Sequence, residues 1–71
     1  MNYESVNSST LDAVAYDEAS STLGVRFKNG TEYEYSRVPE TIYRGILTAS
    51  SVGRYFDANV KKAGYRFRQV R

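Results

Sequence analysis

The sequence predicts an α+β domain, a small antiparallel sheet laid out as β-β-β-α-α-β with two helices packed on one face. Three observations carry that expectation. In LGVRFKNGTEYEY, Leu23 to Tyr35, apolar residues alternate on both sides of Asn29-Gly30, the pattern of a β-hairpin. Beyond Pro39 the apolar residues recur three and four apart, as in amphipathic helices. The last seven residues, YRFRQVR, return to alternation, aromatic against cationic.

Taken in order, residues 1–7 are polar apart from Met1, Tyr3 and Val6 and are expected to form a loosely ordered tail, leaving 8–71 as a single domain. Leu11 to Tyr16, LDAVAY, reads as a first strand with Val14 and Tyr16 on one face, although its two alanines are poor strand formers. The polar stretch Asp17 to Ser21 turns the chain into the hairpin. Side-chain parity selects the hairpin register. A two-residue turn would set Phe27 against Glu32 and Val25 against Glu34, pairing core residues with carboxylates. A three-residue loop with Gly30 left-handed in a G1 bulge instead aligns Phe27 with Thr31, Val25 with Tyr33 and Leu23 with Tyr35. Arg26 and Glu32 then pair across the opposite, solvated face.

Val38-Pro39 ends the hairpin, and proline suits a helix start. Glu40 supplies negative charge there, Ile42, Ile46 and Ala49 share one face, and Tyr43 and Leu47 lie beside them. Gly45 weakens this helix by about 1 kcal/mol relative to alanine, which a close helix-to-sheet approach would explain. Ser50 or Ser51 caps a second helix whose buried stripe is Val52, Phe56 and Val60. Lys61 and Lys62 suit its last turn and Gly64 its stop. The final strand turns Tyr65 and Phe67 inward and Arg66 and Arg68 outward.

Composition narrows function mainly by exclusion. The 71 residues contain no histidine and no cysteine, which removes the commonest general base, the commonest metal ligands and the thiol nucleophile. Disulfides are excluded too, and a domain of about 60 residues buries only about 60% of its unfolded surface, so association into a homodimer is the available route to added stability. The carboxylates do not cluster at metal-ligand spacing. A non-enzymatic protein without a cofactor is therefore expected. No apolar run is long enough for a membrane span or a signal peptide, and the expected location is cytoplasmic. The net charge of +2 is unevenly spread: residues 54–71 hold six cations and one carboxylate, net +5, and residues 1–53 are net −3. A basic end suggests a polyanionic partner, and it also suits a merely solvated surface.

Three sets of residues are candidates for binding. Tyr33 and Tyr35 share a strand face about 7 Å apart, a spacing that suits stacking of successive bases, yet they also share that face with the core residues Leu23 and Val25. Ser50, Ser51 and Gly53 at a helix start, with Arg54 beside them, form an anion notch or an ordinary serine cap. Arg54, Lys61, Lys62, Arg66 and Arg68 are placed to follow a sugar-phosphate backbone with little sequence preference.

These residues bring a family into view. Ser8-Ser9, Val14-Ala15-Tyr16-Asp17, Leu23-Gly24-Val25-Arg26-Phe27, Asn29-Gly30, Tyr33-Glu34-Tyr35, Val38-Pro39, Tyr43, Ala49-Ser50-Ser51-Val52-Gly53-Arg54-Tyr55-Phe56 and Val60-Lys61 together resemble the KTSC domain. That family is named for the carboxy-terminal extension of some lysyl-tRNA synthetases and also occurs as small proteins of bacteria and their phages. Through its attachment to a tRNA enzyme the resemblance implies a nucleic-acid-binding accessory module, and it brings no catalytic residues. The expectation is a non-catalytic module for RNA or single-stranded nucleic acid. The alternative is a protein-interaction module, an adaptor or inhibitor acting through an exposed sheet edge.

Overall fold

Five strands lie side by side in the order in which the chain makes them, each antiparallel to the next. The computed structural model describes residues 1–71. Its strands are β1 (Glu4–Ser5), β2 (Leu11–Asp17), β3 (Thr22–Phe27), β4 (Glu32–Tyr35) and β5 (Phe67–Gln69). Between β4 and β5 the chain forms α1 (Glu40–Thr48) and α2 (Val52–Phe56), and α2 runs on into a π-helical turn, Asp57–Lys61. The α+β class and the order of the predicted elements hold, with one more strand at the amino-terminal edge.

The hairpin adopts the register that parity selects. Leu23 faces Tyr35, Val25 faces Tyr33 and Arg26 faces Glu32. Gly30 sits at φ 93°, where a side chain would be strained, and the Phe27 amide donates to the Thr31 carbonyl at 2.9 Å. Asn29 fixes the loop, its Oδ1 accepting from the Thr31 amide at 3.0 Å and from the Thr31 hydroxyl at 2.7 Å. Between β2 and β3, Val14 pairs with Val25 and Tyr16 with Leu23. A bulge between Leu11 and Ala13 flips the alternation, so Leu11 also turns to the core side.

The core lies between this face and the helices. Leu11, Val14, Leu23, Val25 and Tyr35 from the sheet meet Val38, Ile46, Val52, Phe56 and Val60. The Phe56 ring meets Phe27 and Tyr35 edge-on, each at 5.7 Å between centroids. Tyr16 stacks on Tyr43 of α1 at 5.4 Å and donates its hydroxyl proton to the Val38 carbonyl at 2.5 Å, fixing the strand-to-helix link. Leu47, expected beside the α1 stripe, is exposed.

At the amino terminus, Glu4 and Ser5 pair with Val14 and Ala13 as an edge strand, within residues expected to be loosely ordered. The polar composition conceals what holds them. Tyr3 lies across the outer face of the sheet over Gly24, where a Cβ would stand 2.6 Å from its hydroxyl, and its ring carries the Arg26 guanidinium at 4.3 Å. Gly24 pairs with the fully buried Ala15, so two small residues make the seat. The outer face is consequently less wet than its sequence suggests: Glu32 is only 8% exposed.

Gly45 has a different reason from the one expected. A Cβ there would run into the Tyr55 ring and hydroxyl of α2, so the close approach is helix to helix. Gly45→Ala should lower stability by about 1–3 kcal/mol through overpacking, against a propensity gain of about 1 kcal/mol. Urea unfolding midpoints check this, and adding Tyr55→Ala should recover part of the loss through non-additivity.

Candidate nucleic-acid interface

Two grooves meet along one side of the domain. The larger, ≈ 540 Å³, runs between the loop before β2 and α2; Asn7, Ser8, Ser9 and Thr10 line one wall, Ser50, Ser51, Gly53, Arg54, Asp57 and Lys61 the other, with Phe27 at its end. The second, ≈ 360 Å³, shares Thr10, Phe27 and Lys61 and continues over Tyr33, Tyr35 and Phe67. A hydroxyl-rich, cationic trough thus opens directly onto an aromatic surface.

Each wall follows from local chemistry. The Ser8 Oγ accepts from the amides of Thr10 and Leu11 at 3.1 and 3.2 Å, which curls the loop toward α2. Ser51 occupies the N-cap position of α2 without a side-chain cap hydrogen bond; its carbonyl instead accepts from the Tyr55 amide at 3.0 Å. A Cβ on Gly53 would meet the Ser8 and Thr10 hydroxyl oxygens at 3.7 and 3.9 Å, ordinary contact, so packing does not demand glycine there. Gly53 leaves the groove floor open.

The aromatic surface is part of a closed cycle of five rings. Phe56 meets Phe27, Phe27 meets Tyr33 at 5.7 Å, Tyr33 meets Phe67 at 5.8 Å, Phe67 meets Tyr35 at 5.4 Å, and Tyr35 returns to Phe56. Exposure rises around it from 2% at Phe56 and 6% at Tyr35 to 61% at Phe67. Contacts of this kind contribute about 0.5–1.5 kcal/mol each beyond area burial. They also brace Phe67 against Tyr33 and Tyr35 while most of its surface stays open to solvent.

The predicted site residues do not all gather here. Arg54, Lys61, Ser50, Ser51 and Gly53 share the trough, and Tyr33 lies half-buried on the aromatic surface. Tyr35 belongs to the core, as its shared face with Leu23 allows. Lys62 is exposed outside both grooves. Arg66 lines a separate hollow with Ser36, Arg37, Gly64 and Tyr65. Arg68 is on the opposite face of the sheet, bonded to Glu34 at 3.2 Å. Sequence reasoning overlooked Phe67 as an exposed ring, Phe27 as a groove wall, and Asp57. Alternation in YRFRQVR assigns Phe67 to the core face, but only the assembled sheet reveals that β5 is an edge beyond the helices.

Electrostatics divide the two faces. On the outer face the Glu32 carboxylate takes Arg71 at 2.7 Å and Arg26 at 3.7 Å, and Glu34 takes Arg68, so three cations are spent inside the sheet. Burial raises the pKa of Tyr3, Tyr35 and Tyr43 above 10.0; the Glu32 charge adds to the rise at Tyr3 and a hydrogen bond to Glu4 at Tyr43. No group of three or more acidic side chains comes together to hold a metal ion. No helix is long and apolar enough to cross a membrane.

A family model for the KTSC domain matches residues 7–65. A protein of Tsukamurella paurometabola is 40% identical over 65 residues, 92% of each chain, and an uncharacterized protein of Stutzerimonas stutzeri is 34% identical over the same shares. A lysine–tRNA ligase of Nostoc punctiforme is 29% identical over 62 residues, 87% of this chain and 11% of the ligase. Among solved structures, a KTSC domain protein of Yersinia pestis superposes with a TM-score of 0.87 at 31% identity, covering 99% of this chain and 97% of the other.

Two outcomes follow from the geometry. Gly53→Ala should fold normally and gain about 0.5–1 kcal/mol, read as a raised urea midpoint, in contrast to Gly45. The three tyrosines keep their protons longer when folded. The stability they contribute is complete below the free value of 10.0 and is lost as pH rises from there through the raised folded values. Urea midpoints measured from about pH 8 to about pH 11 should fall only in the upper part of that range.

Proposed function

The chain belongs to the KTSC domain family, and from that premise we propose that it is a non-catalytic binding module for single-stranded nucleic acid, of low sequence specificity. One juxtaposition carries the reading: a trough with Arg54 and Lys61 opens onto the exposed Phe67 ring and the half-buried Tyr33 ring beside it, with Lys61 common to both. Arg54 and Lys61 contact phosphates, and the Ser50 and Ser51 hydroxyls donate to their oxygens. Phe67, braced by Tyr33, stacks a base. Arg66 and Lys62 contribute only long-range attraction. Arg68, held by Glu34 on the other face, contributes none of the contacts. The lysine–tRNA ligase of Nostoc punctiforme, in which a similar segment accompanies an enzyme named for a tRNA, supports the reading.

A second reading draws on the β5 edge. Arg66 and Val70 use backbone groups on Ser36 and Glu32, so by alternation Phe67 and Gln69 direct theirs away from the sheet, beside an exposed Phe67 ring. An extended segment of a protein partner, or β5 of a second copy in a homodimer, would pair there.

Titration of a labelled single-stranded oligonucleotide at two salt concentrations tests the first reading. Phe67→Ala should weaken binding by about 1–3 kcal/mol, and Lys61→Ala should reduce the salt slope by about 1. Arg68→Ala should leave affinity close to that of the parent. Affinity that ignores salt, or that Arg68 controls and Lys61 does not, refutes this reading. A discrete protein recovered after nuclease treatment, and lost with Phe67→Ala, favours the edge.

A further inference from the structure

Asp57 is the one carboxylate lining the trough, and in the chain it falls between the two cations assigned to phosphate. It stands three residues after Arg54 and four before Lys61, spacings at which helical side chains commonly pair. Neither pair forms: every ion pair in the protein involves Glu32, Glu34 or Glu40. The helix widens at this residue, the Lys62 amide donating to the Asp57 carbonyl at 3.0 Å, five residues back, so Lys61 does not follow the α-helical stripe of Asp57. Such π turns are frequent at functional sites. The Asp57 carboxylate makes no side-chain hydrogen bond and is exposed to the groove, with all its acceptor capacity available.

A carboxylate in that position repels a phosphate and accepts from a hydroxyl. Along a nucleic-acid strand, consecutive phosphates flank one sugar, and the 2′-hydroxyl is the sugar donor that distinguishes RNA from DNA. Read along the chain, the groove-lining charges run cation, carboxylate, cation, which matches phosphate, ribose hydroxyl, phosphate. We propose that Asp57 accepts a hydrogen bond from a ribose 2′-hydroxyl, so that the trough takes single-stranded RNA in preference to DNA of the same sequence. This rests on the nucleic-acid reading above, and it adds a specificity that cations and stacking rings do not supply. In dinucleotide-binding folds an acidic side chain performs the same recognition of a ribose 2′-hydroxyl, for the same reason.

Fluorescence anisotropy with three labelled oligonucleotides of one sequence, RNA, DNA and 2′-O-methyl RNA, tests the proposal on the full chain. RNA should bind about tenfold more tightly than DNA, the value of one hydrogen bond to a charged acceptor. The 2′-O-methyl strand, which keeps the oxygen but has no proton to give, should bind like DNA. Asp57→Ala removes no side-chain hydrogen bond or ion pair within the protein, and a urea midpoint no lower than the parent's will confirm its fold. That variant should erase the RNA preference while holding or raising DNA affinity, because a repelling charge has gone. Equal binding of RNA and DNA by the parent protein, or a preference that survives Asp57→Ala, overturns the proposal while leaving the nucleic-acid reading intact. Failure of all three strands to bind overturns both.

Discussion

Parity across the Lys28-Asn29-Gly30 loop is the constraint on which the rest of the structure depends. One residue fewer in that loop would send Tyr33 and Tyr35 to the outer face and carry Glu32 and Glu34 toward Phe56. With Gly30 left-handed, Leu23, Val25, Tyr33 and Tyr35 share a face, Phe56 is met edge-on from the sheet, and β5 extends the same surface to Phe67. The same parity sets Glu32 and Glu34 on the outer face, where arginines reach them. A single backbone choice therefore makes both the aromatic cycle and the ionic face.

Charge counted along the chain and charge arranged in space differ for a specific reason. The carboxy-terminal quarter is net +5, but β5 pairs with a strand that carries two glutamates. Arg68 and Arg71 are consequently held on the outer face by carboxylates more than thirty residues earlier in the chain. Helix geometry presents Arg54 and Lys61 to the opposite side, where Asp57 is the only acidic neighbour lining the trough. The basic character of the terminus is thereby divided between holding the sheet together and furnishing a groove.

Two glycines in the helical region show how one residue type answers different demands. Gly45 makes room for the Tyr55 ring, so α1 and α2 approach closely and bury Ile46 and Phe56 beneath them. Gly53 fills no such need, and what its missing side chain leaves is space in the trough opposite Ser8 and Thr10. The amino-terminal loop, bent by the Ser8 hydroxyl, completes that trough from the far end of the sequence.

By itself the sequence determined the α+β class, the hairpin register, the helix stripes through Ile46, Val52, Phe56 and Val60, and the left-handed stop at Gly64, because each depends on periodicity or on backbone chemistry within a few residues. It also marked Arg54 and the Ser50-Ser51-Gly53 segment as neighbours, while the grouping of Lys61 with them came only from the fold. Tertiary structure alone decided that Tyr3 would hold a fifth strand in place, that Tyr35 would be core while Phe67 stayed open, and that Arg68 would be spent on Glu34. Those outcomes turn on which strand lies at an edge and which charges meet across the sheet, and contacts between residues distant in the chain leave no periodic trace in it.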